Sequence, residues 1–283
     1  MSVFISLLLG LVQGITEFLP ISSSGHLSIL QNLLKLPYTE DEHLLFTILL
    51  HLGTLVSICV VYWGDLKTMV SDGLEFLRTR ADSDKGEPII MKPPARTILF
   101  VIIGTVPLIL TLFFMNGVKR LFMSTGFIGF ALIATGGLLF VSERFIERGN
   151  KTEKTMTIVD ALIIGLAQAV AVLPGLSRSG TTIVVGLSRG LNGNFAVRFS
   201  LVLAIPAIIG ATLVEIFKAI RDGMNFSLFP IYLAGFAVAA VTGYFAIQII
   251  RRLVAKGGFG KVAYYCWGVG ALAIILSLIQ QGS

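Results

Sequence analysis

The sequence predicts an all-α polytopic membrane protein with about six transmembrane helices, two inverted re-entrant helical hairpins and an internal inverted-topology repeat. Three observations predict this fold: long uncharged stretches, apolar segments interrupted by proline, and matching residues in the two halves. The 283 residues are 55% hydrophobic and 13% charged, and the mean hydropathy is +0.87. Soluble domains carry about 25% charged residues, so this composition excludes a disordered chain, a nucleic-acid-binding module and almost any water-soluble enzyme.

Uncharged stretches define the predicted spans. An α-helix rises about 1.5 Å per residue, so roughly 20 residues cross the hydrocarbon of a bilayer. A sixth span is expected over 199–214, prolonged through Phe217, and the polar segment 65–96 is expected to be a loop. The whole chain, 1–283, is therefore predicted to be a single membrane domain. Five stretches of at least 22 residues contain no Asp, Glu, Lys or Arg, namely 43–64, 97–118, 121–142, 223–250 and 262–283.

Two apolar regions are too short or too broken to span. Pro20 interrupts the first and Pro174 the second, and clusters of Ser and Gly follow both prolines. Non-helical backbone is tolerated at membrane depth only where it is buried in protein or lines a wet cavity. These regions therefore predict re-entrant hairpins, over 1–36 and 158–189.

The basic residues predict the orientation. Sixteen of the 22 Lys and Arg residues lie in four segments that the predicted topology places on one side. By the positive-inside rule that side is cytoplasmic, which leaves both termini outside and makes the two hairpins enter from opposite faces. This distribution accounts for the sequence pI of about 9.4 without a polyanionic partner. The four segments are 65–96, 143–160, 189–198 and 251–261.

The halves 1–142 and 143–283 contain matching residues around the two prolines. Inverted-topology repeats place a site near the bilayer midplane, where broken helices meet. The matching residues therefore predict a site at the two breaks. They pair Gly10-Leu11-Val12-Gln13 with Gly165-Leu166-Ala167-Gln168, Leu19-Pro20 with Leu173-Pro174, and Ser22-Ser23-Ser24-Gly25 with Ser177-Arg178-Ser179-Gly180.

Each break is followed by residues suited to begin a helix. One of Ser22, Ser23 and Ser24 is expected to cap the first new helix, and Ser177 or Ser179 the second. Two helix N-termini then face one polar site, and such termini bind phosphate through their free N–H groups and dipoles. The residues predicted to bind a phosphate group are Ser22, Ser24, Gly25, Ser177, Ser179, Gly180 and Thr182.

Charged residues at membrane depth strengthen this prediction. Arg178 offers a planar donor fork suited to phosphate oxygens, and Glu17 lies four residues after Gln13 on one helix face. Intramembrane Glu and Arg indicate function by default, although a structural Glu17–Arg178 ion pair stays an alternative. His26 is either catalytic or a packing residue, whereas a packing or interfacial role is expected for His51.

The two motifs QGITEFLPISSSGH, from Gln13 to His26, and PGLSRSGTT, from Pro174 to Thr182, resemble the signatures of the bacterial undecaprenyl-diphosphate phosphatase (bacitracin-resistance) family. The resemblance extends over the chain in length and segment order. It implies hydrolysis of a prenyl diphosphate lipid to the monophosphate and inorganic phosphate, which recycles the carrier for cell-wall synthesis and confers bacitracin resistance. It also implies a divalent cation, Mg²⁺ or Ca²⁺, and a pocket open to the outer face of the bacterial inner membrane.

The resemblance also implies residue roles. Catalytic roles fall on Glu17, Ser23, His26 and Arg178, and cation binding on Glu17 with Gln13, because the family's first motif takes Glu or Gln at that position. The nucleophile is Ser23, His26 or a water, and Glu17 either positions the cation or takes the serine proton through His26. A transporter or flippase is the alternative function, since inverted repeats around broken helices are typical of transporters. A homodimer is left open.

Overall fold

The computed structural model describes residues 2–34, 40–82, 91–146, 149–222 and 228–282, and the regular structure of these ranges is helical. Residues 1, 35 and 36 of the first predicted hairpin and 83–90 of the polar segment lie outside them. The helices, in chain order, are α1 (Val3–Phe18), α2 (Ser23–Leu33), α3 (Glu40–Val61), α4 (Trp63–Asp82), α5 (Pro93–Thr105), α6 (Leu108–Thr111), a 3-10 turn (Leu112–Phe114), α7 (Met115–Phe122), α8 (Thr125–Ile146), α9 (Ile158–Val170), α10 (Arg178–Ser188), α11 (Gly193–Asp222), α12 (Phe229–Ala255) and α13 (Val262–Gly282).

The prediction of a polytopic membrane protein is confirmed. Within the described ranges, five helical segments are long and apolar enough to cross a bilayer, and a sixth span results if the bent pair α3–α4 is counted as one. The re-entrant course of the two hairpins and their inverted duplication stay predictions. The five segments are Pro93–Phe114, Thr125–Ile146, Gly193–Phe217, Phe229–Ala255 and Val262–Ile279.

The prediction of a loop over 65–96 is wrong for its first part, which forms α4. The apolar residues of α4 recur on one face, where Met69 is buried in the main core and Gly73 lies against Ile98 of α5. A helix face of this kind is defined by periodicity and not by mean composition. Because the segment contains many charged residues, its composition indicated a loop although its apolar residues have helical spacing.

Both prolines end a helix, as predicted, but at different distances. α1 continues to Phe18, two residues before Pro20. α9 ends at Val170, four residues before Pro174, earlier than the sequence suggested. A proline cannot continue a helix, and it disfavours helical backbone at the residue before it, so each helix ends before its proline. A seven-residue turn, 171–177, therefore connects α9 to α10.

The core and a polar clamp hold the broken helices. Phe18 is fully buried and Ile21 is 6% exposed, so the end of α1 and its break are anchored in the main hydrophobic cluster. In the second pair, the buried Asp160 completes a capping box at the start of α9. Its carboxylate accepts hydrogen bonds of 2.9 Å from both Lys151 and Arg189. Because Arg189 directly follows α10, this cluster ties the start of α9 to the end of α10.

The turn at Gly175 yields a stability prediction. Gly175 has a φ of +92°, and an added Cβ would lie 2.6 Å from the carbonyl oxygen of Ile128 in α8. Left-handed backbone costs an L-residue roughly 1–2 kcal/mol, and the clash adds to that cost. We expect Gly175→Ala to lower the thermal unfolding midpoint of the purified protein in detergent. Gly137→Ala, a helical position with open space around it, is the matched control and should leave the midpoint unchanged or raise it; equal effects would contradict this account.

Candidate active site

The two helix breaks lie against each other. An added Cβ on Gly25 would be 3.2 Å from the Cα of Gly175, and one on Gly180 would be 3.0 Å from the Cβ of Pro20. The first turn of each new helix therefore touches the break that precedes the other. These distances are shorter than most Cβ contacts, so a side chain at Gly25 or Gly180 would need the opposite break to shift by a few tenths of an ångström.

The caps of α2 and α10 have the same hydrogen bonds. The Ser22 hydroxyl accepts from the N–H of Gly25 at 3.2 Å, and the Ser177 hydroxyl accepts from the N–H of Gly180 at 3.1 Å. Each cap also lies 3.3 Å from the hydroxyl of the serine two residues later, Ser24 or Ser179. The prediction that serines cap both helices is confirmed. It follows that Ser23 and Arg178 occupy equivalent first positions of their helices.

The carboxylate of Glu17 is the centre of the site. It is 6% exposed, and three side chains donate to it: Ser23 to Oε2 at 2.6 Å, Gln13 to Oε2 at 3.0 Å, and Arg178 to Oε1. An isolated carboxylate is very costly to bury, so this burial depends on the ion pair and the hydrogen bonds. The structure thus brings together the four residues whose types suggested chemistry, from α1, α2 and α10.

His26 is held by groups other than the serine. Its Nδ1 lies 2.8 Å from the carbonyl oxygen of Ser22, and a carbonyl only accepts, so Nδ1 carries the proton. Its Nε2 then accepts from the hydroxyl of Tyr265 at 2.8 Å, and the two rings stack with centroids 5.7 Å apart. A proton of Ser23 therefore has a direct acceptor in Glu17 and no vacant nitrogen on His26.

Three residues near the junction were not assigned to it from the sequence. His51 of α3 has its Nε2 3.9 Å from Oε2 of Glu17, and its Nδ1 donates to the carbonyl of Thr47 at 2.8 Å. Tyr265 fixes His26. Thr135 of α8 donates to the carbonyl of Gly175 and accepts from the N–H of Ser177, both at 3.1 Å. Each lies in an uncharged stretch of sequence, where its context gave no signal of a polar partner.

Thr182 has a different environment from the other predicted phosphate ligands. Its hydroxyl lies 2.8 Å from the carbonyl of Arg178, one turn earlier, and contacts the hydroxyl of Ser200 in α11. The structure therefore places it in the contact between α10 and α11. The other predicted phosphate ligands all lie in the first turns of α2 and α10 or in their caps, namely Ser22, Ser24, Gly25, Ser177, Ser179 and Gly180.

Two oxygen donors suit a hard divalent cation. The amide oxygen Oε1 of Gln13 is buried and has no hydrogen-bond partner among the described residues, although its amide nitrogen binds Glu17. No group of three or more His, Cys, Asp or Glu side chains able to hold a metal occurs within the described ranges. Mg²⁺ is typically held by one or two protein oxygens together with phosphate oxygens and water. Gln13 and Glu17 fit that mode of binding.

A sequence comparison identifies the family to which these features belong. The family model described as bacitracin resistance protein BacA matches residues 6–272. The chain belongs to the BacA family. The match includes both breaks and every residue of the Glu17 cluster, so the clustered side chains are part of the region that the BacA family model represents.

Curated relatives match over their full lengths. An undecaprenyl-diphosphatase of Alkaliphilus metalliredigens is 40% identical over 281 residues, which cover 99% of this chain and 100% of the relative. Undecaprenyl-diphosphatases of Halothermothrix orenii and Methanosphaera stadtmanae are 36% and 37% identical, over 98% and 97% of this chain and 99% and 98% of theirs. The similarity to these BacA-type proteins therefore extends beyond the two motifs.

The Glu17–Arg178 pair yields a stability prediction that does not depend on activity. Glu17→Gln should lower the free energy of unfolding by about 3–5 kcal/mol, because it leaves a largely buried guanidinium unpaired. Arg178→Gln should have a similar effect, whereas the double variant should lose less than the sum of the two, since no buried charge is then left alone. Thermal unfolding of the three variants in detergent measures this; strictly additive losses would show that the pair is not coupled.

Proposed function

We propose that the protein hydrolyses undecaprenyl diphosphate to undecaprenyl phosphate and inorganic phosphate. The observation that carries the proposal is the hydroxyl of Ser23, at a helix N-terminus, donating to a buried carboxylate that is also paired with Arg178. A hydroxyl with its proton acceptor already in place, next to a guanidinium that can bind phosphate, suits phosphoryl transfer. The names of the full-length relatives supply the substrate.

The diphosphate binds at the junction of the two breaks. The first N–H groups of α2 and α10 have no partners within their helices and carry the positive ends of the helix dipoles. Arg178 has five N–H donors, and only part of its fork is directed at Glu17. Its remaining donors bind oxygens of the terminal phosphate. The prenyl chain of the substrate lies in the surrounding lipid.

Ser23 is the nucleophile in this proposal. Its Oγ forms a bond to the terminal phosphorus as its proton passes to Oε2 of Glu17. The bond between that phosphorus and the bridging oxygen breaks, and undecaprenyl phosphate leaves with the electron pair. Water then hydrolyses the phosphoserine, with Glu17 returning the proton to Oγ. His26, with one nitrogen donating to Ser22 and the other accepting from Tyr265, orients the start of α2 and does not attack.

A divalent cation, Mg²⁺ or Ca²⁺, would be held by Gln13 Oε1 and Glu17 with oxygens of the diphosphate. When bound, it supplies neutralisation of the charge that develops on the phosphate oxygens. Gln13 is suited to this role because its amide nitrogen already donates to Glu17, which leaves the amide oxygen available as a ligand to the cation.

The proposed location is the bacterial inner membrane, with both termini and the site open to the outer side. The distribution of Lys and Arg supports this orientation. Hydrolysis there would return the carrier lipid for another round of cell-wall synthesis. The description of the family model supports a second expected effect, resistance to bacitracin.

Phosphate release by purified protein in detergent tests the proposed function. Detergent removes the two compartments between which a transporter or flippase would act, so only an enzyme can yield a product. We expect inorganic phosphate from a C55 prenyl diphosphate, in a quantity that far exceeds the quantity of protein. Absence of release from folded protein supplied with Mg²⁺ or Ca²⁺ would favour the transporter.

The role of Ser23 can be separated from that of its neighbours. We expect Ser23→Ala to lower turnover at least about 10³-fold, because only positioning and electrostatics are then left. Ser24→Ala is the matched control and should cost about 10-fold or less. Intact-mass analysis of quenched wild-type enzyme should show a phosphate adduct that the Ser23 variant lacks. If turnover of Ser23→Ala stayed within a few-fold of wild type, a water would be the nucleophile.

Cation binding can be measured apart from turnover. Glu17→Gln should abolish binding of Mn²⁺, used as a paramagnetic substitute in the presence of a non-hydrolysable diphosphate, because the carboxylate supplies the charge. Gln13→Ala should weaken binding less, since it removes one neutral ligand. Titration followed by electron paramagnetic resonance compares the three proteins. A larger loss in Gln13→Ala than in Glu17→Gln would reverse the assigned roles.

A further inference from the structure

Helix α4 carries a stripe of apolar side chains that the described part of the chain does not cover. Trp63, Val70, Leu74 and Leu77 are between 52% and 62% exposed. Their spacings of seven, four and three residues place them on one face of the helix. A neighbouring part of the same apolar face, at Met69, is buried. The stripe therefore continues the core-facing side of α4 outwards.

The course of α3 places α4 at the membrane surface. Residues 43–61 of α3 contain no Asp, Glu, Lys or Arg, and this length at about 1.5 Å per residue is enough to cross the hydrocarbon. Immediately after Val61 the chain bends by 77° into α4. Charged residues recur along α4 from Asp65 to Arg80, so α4 cannot cross a bilayer. A helix turned this far from a spanning helix runs close to the membrane plane.

Contacts with α5 give the depth of α4. Gly73 lies against Ile98, five residues into the span that begins at Pro93 and therefore roughly 8 Å below its start. On the other side, Lys92 directly precedes that span and donates to Glu75 at 2.6 Å. The acidic side of α4 is thus level with the membrane surface. Its apolar side lies within the depth of about 5–10 Å that an interfacial helix is expected to reach.

The charged residues of α4 are arranged by sign around the stripe. At about 100° per residue, Lys67 and Arg78 lie within about 70° of the centre of the stripe, whereas Asp72 and Glu75 lie at least about 130° away. Both basic side chains are exposed, and long basic side chains extend from apolar surface to phosphate groups. The bases therefore face the headgroups and the acids face water.

We propose that α4 is an interfacial helix whose apolar stripe inserts into the leaflet in which α3 ends, and that Lys67 and Arg78 bind the phosphate groups of anionic lipids there. The occupant of the stripe is thus the acyl boundary of the membrane that the protein already spans. This proposal is independent of the catalytic site and of the proposed function.

Spin labels on single cysteines test the position of the stripe. The free cysteines Cys59 and Cys266 are first replaced by Ala, and cysteine is then introduced at Leu74 or Leu77. Matched controls are Thr68→Cys and Thr79→Cys, since both side chains are exposed, bond to the backbone of α4 and lie on the side of the helix away from the stripe. In vesicles, we expect collisions with oxygen to dominate at the two Leu positions and collisions with a water-soluble nickel chelate at the two controls.

Other outcomes overturn the proposal. Dominant nickel collisions at all four positions would place the stripe in water, and low accessibility to both reagents at the Leu positions would indicate a second copy of the chain. If a labelled variant unfolds, the fluorescence of Trp63 is measured instead, in the variant Trp267→Phe. Brominated lipid should quench this fluorescence strongly, and quenching by aqueous iodide instead would refute insertion.

The lipid charge is tested with the same label. Replacing zwitterionic vesicles by vesicles containing phosphatidylglycerol should raise the ratio of oxygen to nickel collisions at the label in Leu77→Cys about two-fold or more. In the variant that also carries Lys67→Gln and Arg78→Gln this dependence should be lost. An equal ratio in both vesicles without those substitutions would refute the pairing with anionic headgroups.

Discussion

A single buried carboxylate, that of Glu17, sets the arrangement of the two helix breaks. A charge buried inside a protein is tolerated only with partners, and the three donors to Glu17 come from three helices. Ser23 and Arg178 are 155 residues apart in sequence, yet both must be directed at this carboxylate. The start of α2, the start of α10 and the end of α1 are therefore fixed relative to one another by one electrostatic requirement.

The breaks themselves are stabilised by polar contacts of the backbone. Thr135 bonds to both sides of the second turn, and the serine caps satisfy one N–H of each new helix. Ser22 has a φ of 69°, an unusual value for a residue other than glycine, and such backbone costs about 1–3 kcal/mol. This conformation directs the chain from the break into α2 and so positions Ser23. Strain is tolerated here because the cap and the buried side chains on both sides hold the turn.

Local features of this site were predictable from sequence, and long-range features were not. Proline breaks, serine caps and the pairing of Gln13 with Glu17 depend on residues at most four positions apart, so spacing alone indicates them. The partnership of Glu17 with Arg178 was predictable because few charged residues occur in the apolar segments. Tyr265 was not, because its contact with His26 joins residues 239 positions apart through the packing of α13. For the same reason the sequence predicted only a packing or interfacial role for His51, and it did not predict α4 because mean composition does not show a periodic face.

The matching residues of the two halves differ in a way that follows from this electrostatic constraint. Gln13 and Gln168 occupy matching positions, but Gln13 bonds to Glu17 four residues later, and the residue four after Gln168 is Val172. Both polar ends of the Gln168 side chain are buried without hydrogen-bond partners among the described residues. A second carboxylate at the junction would place two like charges in a low-dielectric site and raise the cost of ionising either. At the equivalent first positions of α2 and α10, one half supplies a hydroxyl and the other a guanidinium. The single carboxylate can then serve both: it accepts the proton of one and balances the charge of the other.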